Sequence, residues 1–185
     1  VLPENVLLEP YKRNTAPCIA YATYKLRAKN PDAVVVVAPS DHLIIGEDLF
    51  LETVASAMAC AQDKDALFTL GIRPTTPNIN YGYIQANKSK SIMANGHSAY
   101  KVKTFTEKPD AEMAKLFIET GEFSWNAGIF IWSIRAICAE LEHHIPEIAS
   151  LFSSIEGDYN TAREQEAVDA VYAASPSISI DYNTA

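Results

Sequence analysis

Val34 to Val37 are four β-branched residues in a row, apolar on both faces, and the run passes through Ala38 and Pro39 into Ser40, Asp41 and His42. Branching at Cβ suits a pleated strand, and the lack of polar alternation predicts a strand buried inside a sheet. Two readings of Asp41 follow. It is a turn or helix-capping residue, or it is a ligand-facing carboxylate at the carboxyl end of a parallel strand, where open α/β sheets bind their substrates.

The flanking sequence supplies the alternation such a sheet needs. Val6–Leu8 reads as a short apolar strand, and residues 16–29 as a helix with Pro17 in its first turn and Asn30-Pro31-Asp32 after its end. After the valines, Leu49, Phe50, Thr53, Val54, Ala57, Met58 and Ala61 recur at helical spacing, and "ALFTLGI" (66–72) is a third apolar strand. A β-α-β-α-β series with short links predicts parallel strands joined by right-handed crossovers, a doubly wound α/β sheet. The second half is more mixed. "YGYIQAN" and the half-exposed "YKVKTFTEK" read as strands flanking a turn-rich hairpin connection over 88–98. Pro109 opens a helix that Gly121 closes, and "NAGIFIWSI" is another apolar strand. Helices are expected over 135–143 and 146–154, and Thr161 with Glu164 makes a capping-box pattern before a helix of about ten residues. With no repeat, low-complexity tract or linker, residues 1–185 read as one domain.

Composition narrows the function classes. A net charge of −8 over 185 residues argues against nucleic acid, whose backbone demands clustered Lys and Arg. Small phosphorylated ligands remain open, held by a few local cations or by a divalent ion between carboxylates and phosphates. Cys18, Cys60 and Cys138 lie far apart and make neither a zinc nor a disulfide spacing, so a reducing cytoplasmic setting is expected. Neither a membrane span nor a signal peptide is legible. "VLPENVLLEP" enters the first expected strand at once, without an initiating methionine, so the chain is expected to be a piece of something longer.

Five stretches carry residue types suited to chemistry. Asp41 offers a hard oxygen to a cation such as Mg²⁺. In "FTEKP" (105–109), Lys108 can meet a phosphate as a point charge, and Glu107 can accept hydrogen bonds from sugar hydroxyls; a surface ion pair at a strand end is the plainer alternative. "WNAGIF" (125–130) offers the amide of Asn126, and Gly82 in "NYGYI" allows close approach to the backbone, though either is equally an ordinary strand entry with aromatic packing. Glu9, in "EPYKRNTAP", can accept two hydrogen bonds from guanine's N1–H and exocyclic amine, or is a solvated loop residue. His143 and His144, being adjacent, point about 100° apart on a helix, which suits a solvated end better than a metal site. No P-loop, G-x-G-x-x-G or G-x-S-x-G is present.

Taken in order, "EPYKRNTAP", "APSDH", "YGYI", "FTEKP", "WNAGIF" and "SIDY" resemble the mannose-1-phosphate guanylyltransferases, or GDP-mannose pyrophosphorylases, over nearly the whole chain. The resemblance implies a Rossmann-like nucleotidyltransferase fold with a mostly parallel mixed sheet flanked by helices. It implies transfer from GTP to mannose 1-phosphate, giving GDP-mannose and pyrophosphate. Asp41 and Asp181 would then ligate Mg²⁺ and Lys108 would hold the sugar's phosphate. Glu107, Asn126 and the Gly82 backbone would hold the mannose; Glu9 would read guanine, with Asn14 and Thr15 near the base and Arg13 toward phosphate. A homo-oligomer is compatible with this reading, whereas membrane and nucleic-acid partners are not expected. The family's glycine-rich nucleotide loop, G-x-G-x-R-L, does not occur in the chain, which is therefore expected to be an inactive fragment of the catalytic domain. Two alternatives stay open: transfer to another hexose phosphate or from another base, and a non-catalytic homologue that binds nucleotide-sugar and regulates a partner.

Overall fold

A computed structural model of the chain describes residues 1–94 and 97–180, and these divide into two compact units. One comprises residues 1–33 with 134 onward and is built from helices: α1 (Thr15–Arg27), α4 (Ile134–His144), α5 (Pro146–Ser154) and α6 (Glu164–Ala174). The other, residues 34–133, is a five-stranded sheet with two helices: β1 (Val34–Val37), α2 (Glu47–Asp63), β2 (Phe68–Ile72), β3 (Tyr83–Ala94), β4 (His97–Thr106), α3 (Ala111–Thr120) and β5 (Phe123–Ser133). The α/β class stands.

The sheet's pairing differs from the sequence expectation. All four described ladders are antiparallel, and the long β5 is the hub: β1, β2 and β3 all pair with it, and β4 pairs with β3. Since β1 and β2 both run antiparallel to β5, they point the same way, as a β-α-β crossover requires, but β5 lies between them. The mostly parallel sheet is thereby corrected. Local periodicity reads strand direction along the chain; it cannot read which strand is inserted between two others. The valine strand is also half-buried rather than buried, with a described ladder on one side only, and Val34 and Val36 pack on the core around Ala61, Ala127, Ile129 and Ile131.

Two further expectations fail locally. Val6–Leu8 forms no strand; a 3₁₀ turn at Pro3–Asn5 precedes it and the following residues are irregular. Nor does the Thr161/Glu164 capping box form: Thr161 Oγ1 donates to the Asp158 carbonyl at 2.6 Å, and Glu164 is drawn elsewhere. Its carboxylate accepts from Lys25 Nζ at 2.5 and 2.6 Å, from Tyr21 Oη at 2.6 Å and from the Asn160 amide at 2.6 Å. A charged donor outcompetes the helix's own first amides. α3 keeps its expected C-terminal end, with Gly121 in the left-handed region at φ 65°, but Pro109 lies before the helix, whose N-cap is Asp110, accepting from the Met113 amide. A hairpin is present, but most of the connection expected over 88–98 is strand instead, β3 running to Ala94 and β4 starting at His97, while residues 95–96 lie outside the described residues.

Burial raises the Glu164 pKa, but the hydrogen bonds from Lys25, Tyr21 and Asn160 outweigh it, leaving the carboxyl below the usual glutamate range. Between that lowered value and the unfolded value of about 4.3, the unfolded chain binds the extra proton, so stability rises with pH there. This contribution is complete above about pH 4.3 and fades as acid takes the folded carboxylate. Glu164→Gln should therefore flatten the acid limb of a stability–pH curve measured by urea unfolding, leaving its slope near neutrality unchanged. An acid limb as steep as the parent's would refute the assignment.

Candidate active site

Within the sheet unit, three sequence-nominated residues meet. A Cβ built on Gly82 would lie 2.6 Å from Glu107 Oε2 and 3.4 Å from Asn126 Cβ, so the glycine backbone stands directly against the carboxylate. The Asn126 amide donates to the Gly82 carbonyl at 2.8 Å. Tyr83 pins the preceding loop, its hydroxyl donating to the Asn78 carbonyl and accepting from the Asn78 amide, each at 3.0 Å. Asn126 itself is oriented: Oδ1 accepts from Thr69 Oγ1 and from the Gly128 amide, both at 3.0 Å. With its oxygen committed to these donors, the other end of the amide is the donor NH₂.

A bulge makes this geometry. Thr69 pairs with Phe130 and Gly71 with Asn126, so β5 advances four residues while β2 advances two. Gly128 takes φ 66° inside the bulge, a conformation glycine adopts without Cβ strain, and its α-carbon faces Pro39 of the "APSDH" loop. Sequence reading nominated Asn126 and Gly82 but missed Thr69. The one hydroxyl in the run "ALFTLGI" was the available signal.

Glu107 is half-buried, with a side chain 19% exposed, and Lys108 beside it is 62% exposed with Nζ 3.9 Å from Glu107 Oε1. Lys108 has φ 45°, although it carries a Cβ and precedes Pro109, both of which disfavour that region. Asp41 lies in an exposed turn after β1. Its carboxylate is a hard oxygen donor open to solvent, which fits a magnesium ion held by one or two carboxylates plus ligand phosphates. Among the described residues no group of three or more His, Cys, Asp or Glu could hold a metal, and Asp181, the expected second ligand, lies outside them.

The helical unit carries the other nominated residues. Asn14 takes φ 67° and caps α1, its Oδ1 accepting from the Thr15 amide. Thr15 Oγ1 accepts from the Ile180 amide at 2.9 Å and lies 3.3 Å from Ser179 Oγ, while the Ala16 amide donates to the Ile178 carbonyl. Residues 178–180 are thus fixed along the 13–16 turn. Arg13 points to the end of α6, with Nε on the Tyr172 carbonyl at 3.1 Å and a terminal nitrogen on that of Ala173 at 3.2 Å, favourable for a cation at a helix C-terminus. Glu9 accepts from Tyr172 Oη at 3.0 Å. Burial, then the charge and hydrogen bond of Glu9, push the Cys18 thiol up to about 11, which makes it inert as a nucleophile. Tyr172 and Ser179 had no sequence signal pointing to the loop.

The family model of the nucleotidyl transferases matches residues 2–170. A protein named mannose-1-phosphate guanylyltransferase from Sinorhizobium fredii (strain NBRC 101917 / NGR234) is 37% identical over 181 residues, covering 96% of this chain and 34% of that protein. One of the same name from Escherichia coli (strain K12) is 35% identical over 187 residues, covering 98% and 38%. The chain thus spans little more than a third of the length of these curated relatives. Among solved structures, one described as mannose-1-phosphate geranyltransferase from Thermus thermophilus superposes with a TM-score of 0.79 at 27% identity, covering 96% of this chain and 48% of that one.

Proposed function

The chain belongs to the nucleotidyl transferase family, and on that premise we propose that it carries substrate-handling parts of a mannose-1-phosphate guanylyltransferase. An oxygen of the sugar phosphate attacks the α-phosphorus of GTP; the new P–O bond forms as the bond to pyrophosphate breaks. Such a displacement calls for positioning and charge neutralisation rather than a protein nucleophile. The observation that carries the reading is the convergence of Gly82, Glu107 and Asn126, a carboxylate and an oriented amide beside bare backbone. Polyhydroxylated ligands are recognised by such planar groups with fixed donors and acceptors.

In this reading Glu107 accepts from mannose hydroxyls, the NH₂ of Asn126 donates to one, and the Gly82 backbone lets the sugar lie close. Lys108 meets the sugar's phosphate. Glu9 reads guanine, with Asn14 and Thr15 shaping the base site and Arg13 tying their loop to α6. Asp41 and Asp181 are the proposed Mg²⁺ ligands; the ion, when bound, supplies charge neutralisation to the phosphates. The family match crosses both units, which supports treating them as parts of one catalytic domain. We assign the reaction to the cytoplasm, in keeping with the free thiols of Cys18, Cys60 and Cys138.

The test uses the full-length protein with mannose 1-phosphate and either GTP or UTP, following the nucleotide-sugar formed. GDP-mannose should form, and Glu9→Gln should narrow the preference for GTP over UTP about tenfold, the scale of one lost hydrogen bond to a base. Failure to form nucleotide-sugar from GTP, or a preference for UTP in the parent, overturns the reading.

A further inference from the structure

Glu9 lies in an irregular, exposed stretch before α1, yet side chains from two separate helices take hold of it. Tyr172 Oη, in the last turn of α6, donates to Glu9 Oε1 at 3.0 Å, and the Cys18 thiol, in the first turn of α1, hydrogen-bonds the same carboxylate. Tyr172 is wholly buried, its ring edge-on to those of Tyr21 and Phe152 with centroids 6.2 and 5.4 Å away, so its hydroxyl has a fixed position. The tie is returned through the backbone, since Arg13 Nε donates to the Tyr172 carbonyl at 3.1 Å. Burial, then the charge and hydrogen bond of Glu9, raise the Tyr172 pKa well above the usual tyrosine range, so the hydroxyl remains a donor at neutral pH.

A carboxylate has roughly four acceptor positions. Among the described residues, Tyr172 and Cys18 take two of those on Glu9, which leaves the two that guanine's N1–H and exocyclic amine require. More consequential is the rotation these bonds remove. The corresponding edge of uracil presents a single N–H flanked by two carbonyl oxygens. A carboxylate free to turn can meet that N–H and swing its other oxygen away. One held in place sets its second oxygen against a base carbonyl, a repulsion that rejects the wrong base.

We infer that Tyr172 is a specificity-determining positioning residue, which holds the Glu9 carboxylate so that it discriminates guanine from uracil, with the Cys18 thiol as a second, weaker holder. The inference rests on the proposed reading of guanine by Glu9. Tyr172 acts through that carboxylate rather than by touching the nucleotide. A hydroxyl that only tied the loop to α6 would lower stability without moving base preference, because a looser fold penalises GTP and UTP alike.

Initial rates of the full-length protein with mannose 1-phosphate and either GTP or UTP test this through the ratio of the two kcat/KM values. Tyr172→Phe removes the hydroxyl and keeps the ring, and the GTP-to-UTP ratio should narrow about fivefold, a factor within the reach of one hydrogen bond. Cys18→Ala should narrow it about twofold, because a thiol is a weak donor; this variant carries the test in the event that urea unfolding shows Tyr172→Phe to be misfolded. In a Glu9→Ala background, Tyr172→Phe should leave the ratio where Glu9→Ala alone puts it, since the hydroxyl then has nothing to position. Where Glu9→Ala narrows the ratio, the inference alone is overturned by a parental ratio in folded Tyr172→Phe, by a parental ratio in Cys18→Ala standing in for it, or by full additivity in the double variant. A parental ratio in Glu9→Ala removes the base reading itself, and the role of Tyr172 with it.

Discussion

Lys108→Gly in the full-length protein is expected to leave the fold at least as stable as the parent while the GDP-mannose formation proposed above falls by about 10² or more in kcat/KM. The two effects come from different atoms. The side chain is 62% exposed and its Nζ is 3.9 Å from Glu107, an arrangement that contributes little to stability in water. The backbone is another matter, since φ 45° brings Cβ toward the carbonyl oxygen at a cost of about 1–2 kcal/mol, and Pro109 narrows the choices further. Glycine relieves that strain and gives back about 0.5–1 kcal/mol through its greater freedom when unfolded. Lys108→Ala keeps the strain and loses the cation, so the glycine and alanine variants should be equally inactive but differ by up to about 1 kcal/mol in urea unfolding. Strain held at one residue of a site, where a relaxed residue would serve the fold better, is what a positioning role demands. Parental turnover in either variant would remove Lys108 from the reaction.

Most elements were legible because each has its own local signal. The valines of β1, the helical spacing in α2, and the Gly121 cap of α3 are written within a few residues of where they act. What was not legible was long-range. β5 separates β1 from β2, a fact that depends on residues 53 to 99 positions away, and it also explains why Val34–Val37 are half-buried at the sheet's edge. The site shows the same division. Glu107, Asn126 and Gly82 could be nominated from chemistry, but the hydroxyl that orients Asn126 comes from Thr69, in a strand whose register is set by a bulge in β5. Glu164 looked like a helix cap and is instead the acceptor for Lys25, 139 residues away, because charge-assisted bonds outweigh a capping contact.

Gly82→Ala and Gly71→Ala should produce opposite defects. Neither glycine needs a left-handed backbone; each is required by what stands in front of it. At Gly82 the new methyl would lie 2.6 Å from Glu107 Oε2, the far end of a long side chain rather than backbone, so relief comes from moving that carboxylate and the fold should lose about 1 kcal/mol. The carboxylate does not return to its place, however, and the methyl fills the space in which a sugar would contact bare backbone. A displacement of about 1 Å in such a group costs about 10² in rate, and loss of binding common to substrate and transition state adds a rise in KM for mannose 1-phosphate. At Gly71 the methyl would lie 2.9 Å from Ser124 Cβ, an atom fixed to the backbone of the neighbouring strand. The ladder must then shift, at about 1–3 kcal/mol, while the Glu107 carboxylate is not what the new methyl meets. Tm and KM measured together on both variants separate the two cases. Should Gly82→Ala bind mannose 1-phosphate as the parent does, the sugar does not lie against this glycine, and the convergence with Glu107 and Asn126 is a packing arrangement alone.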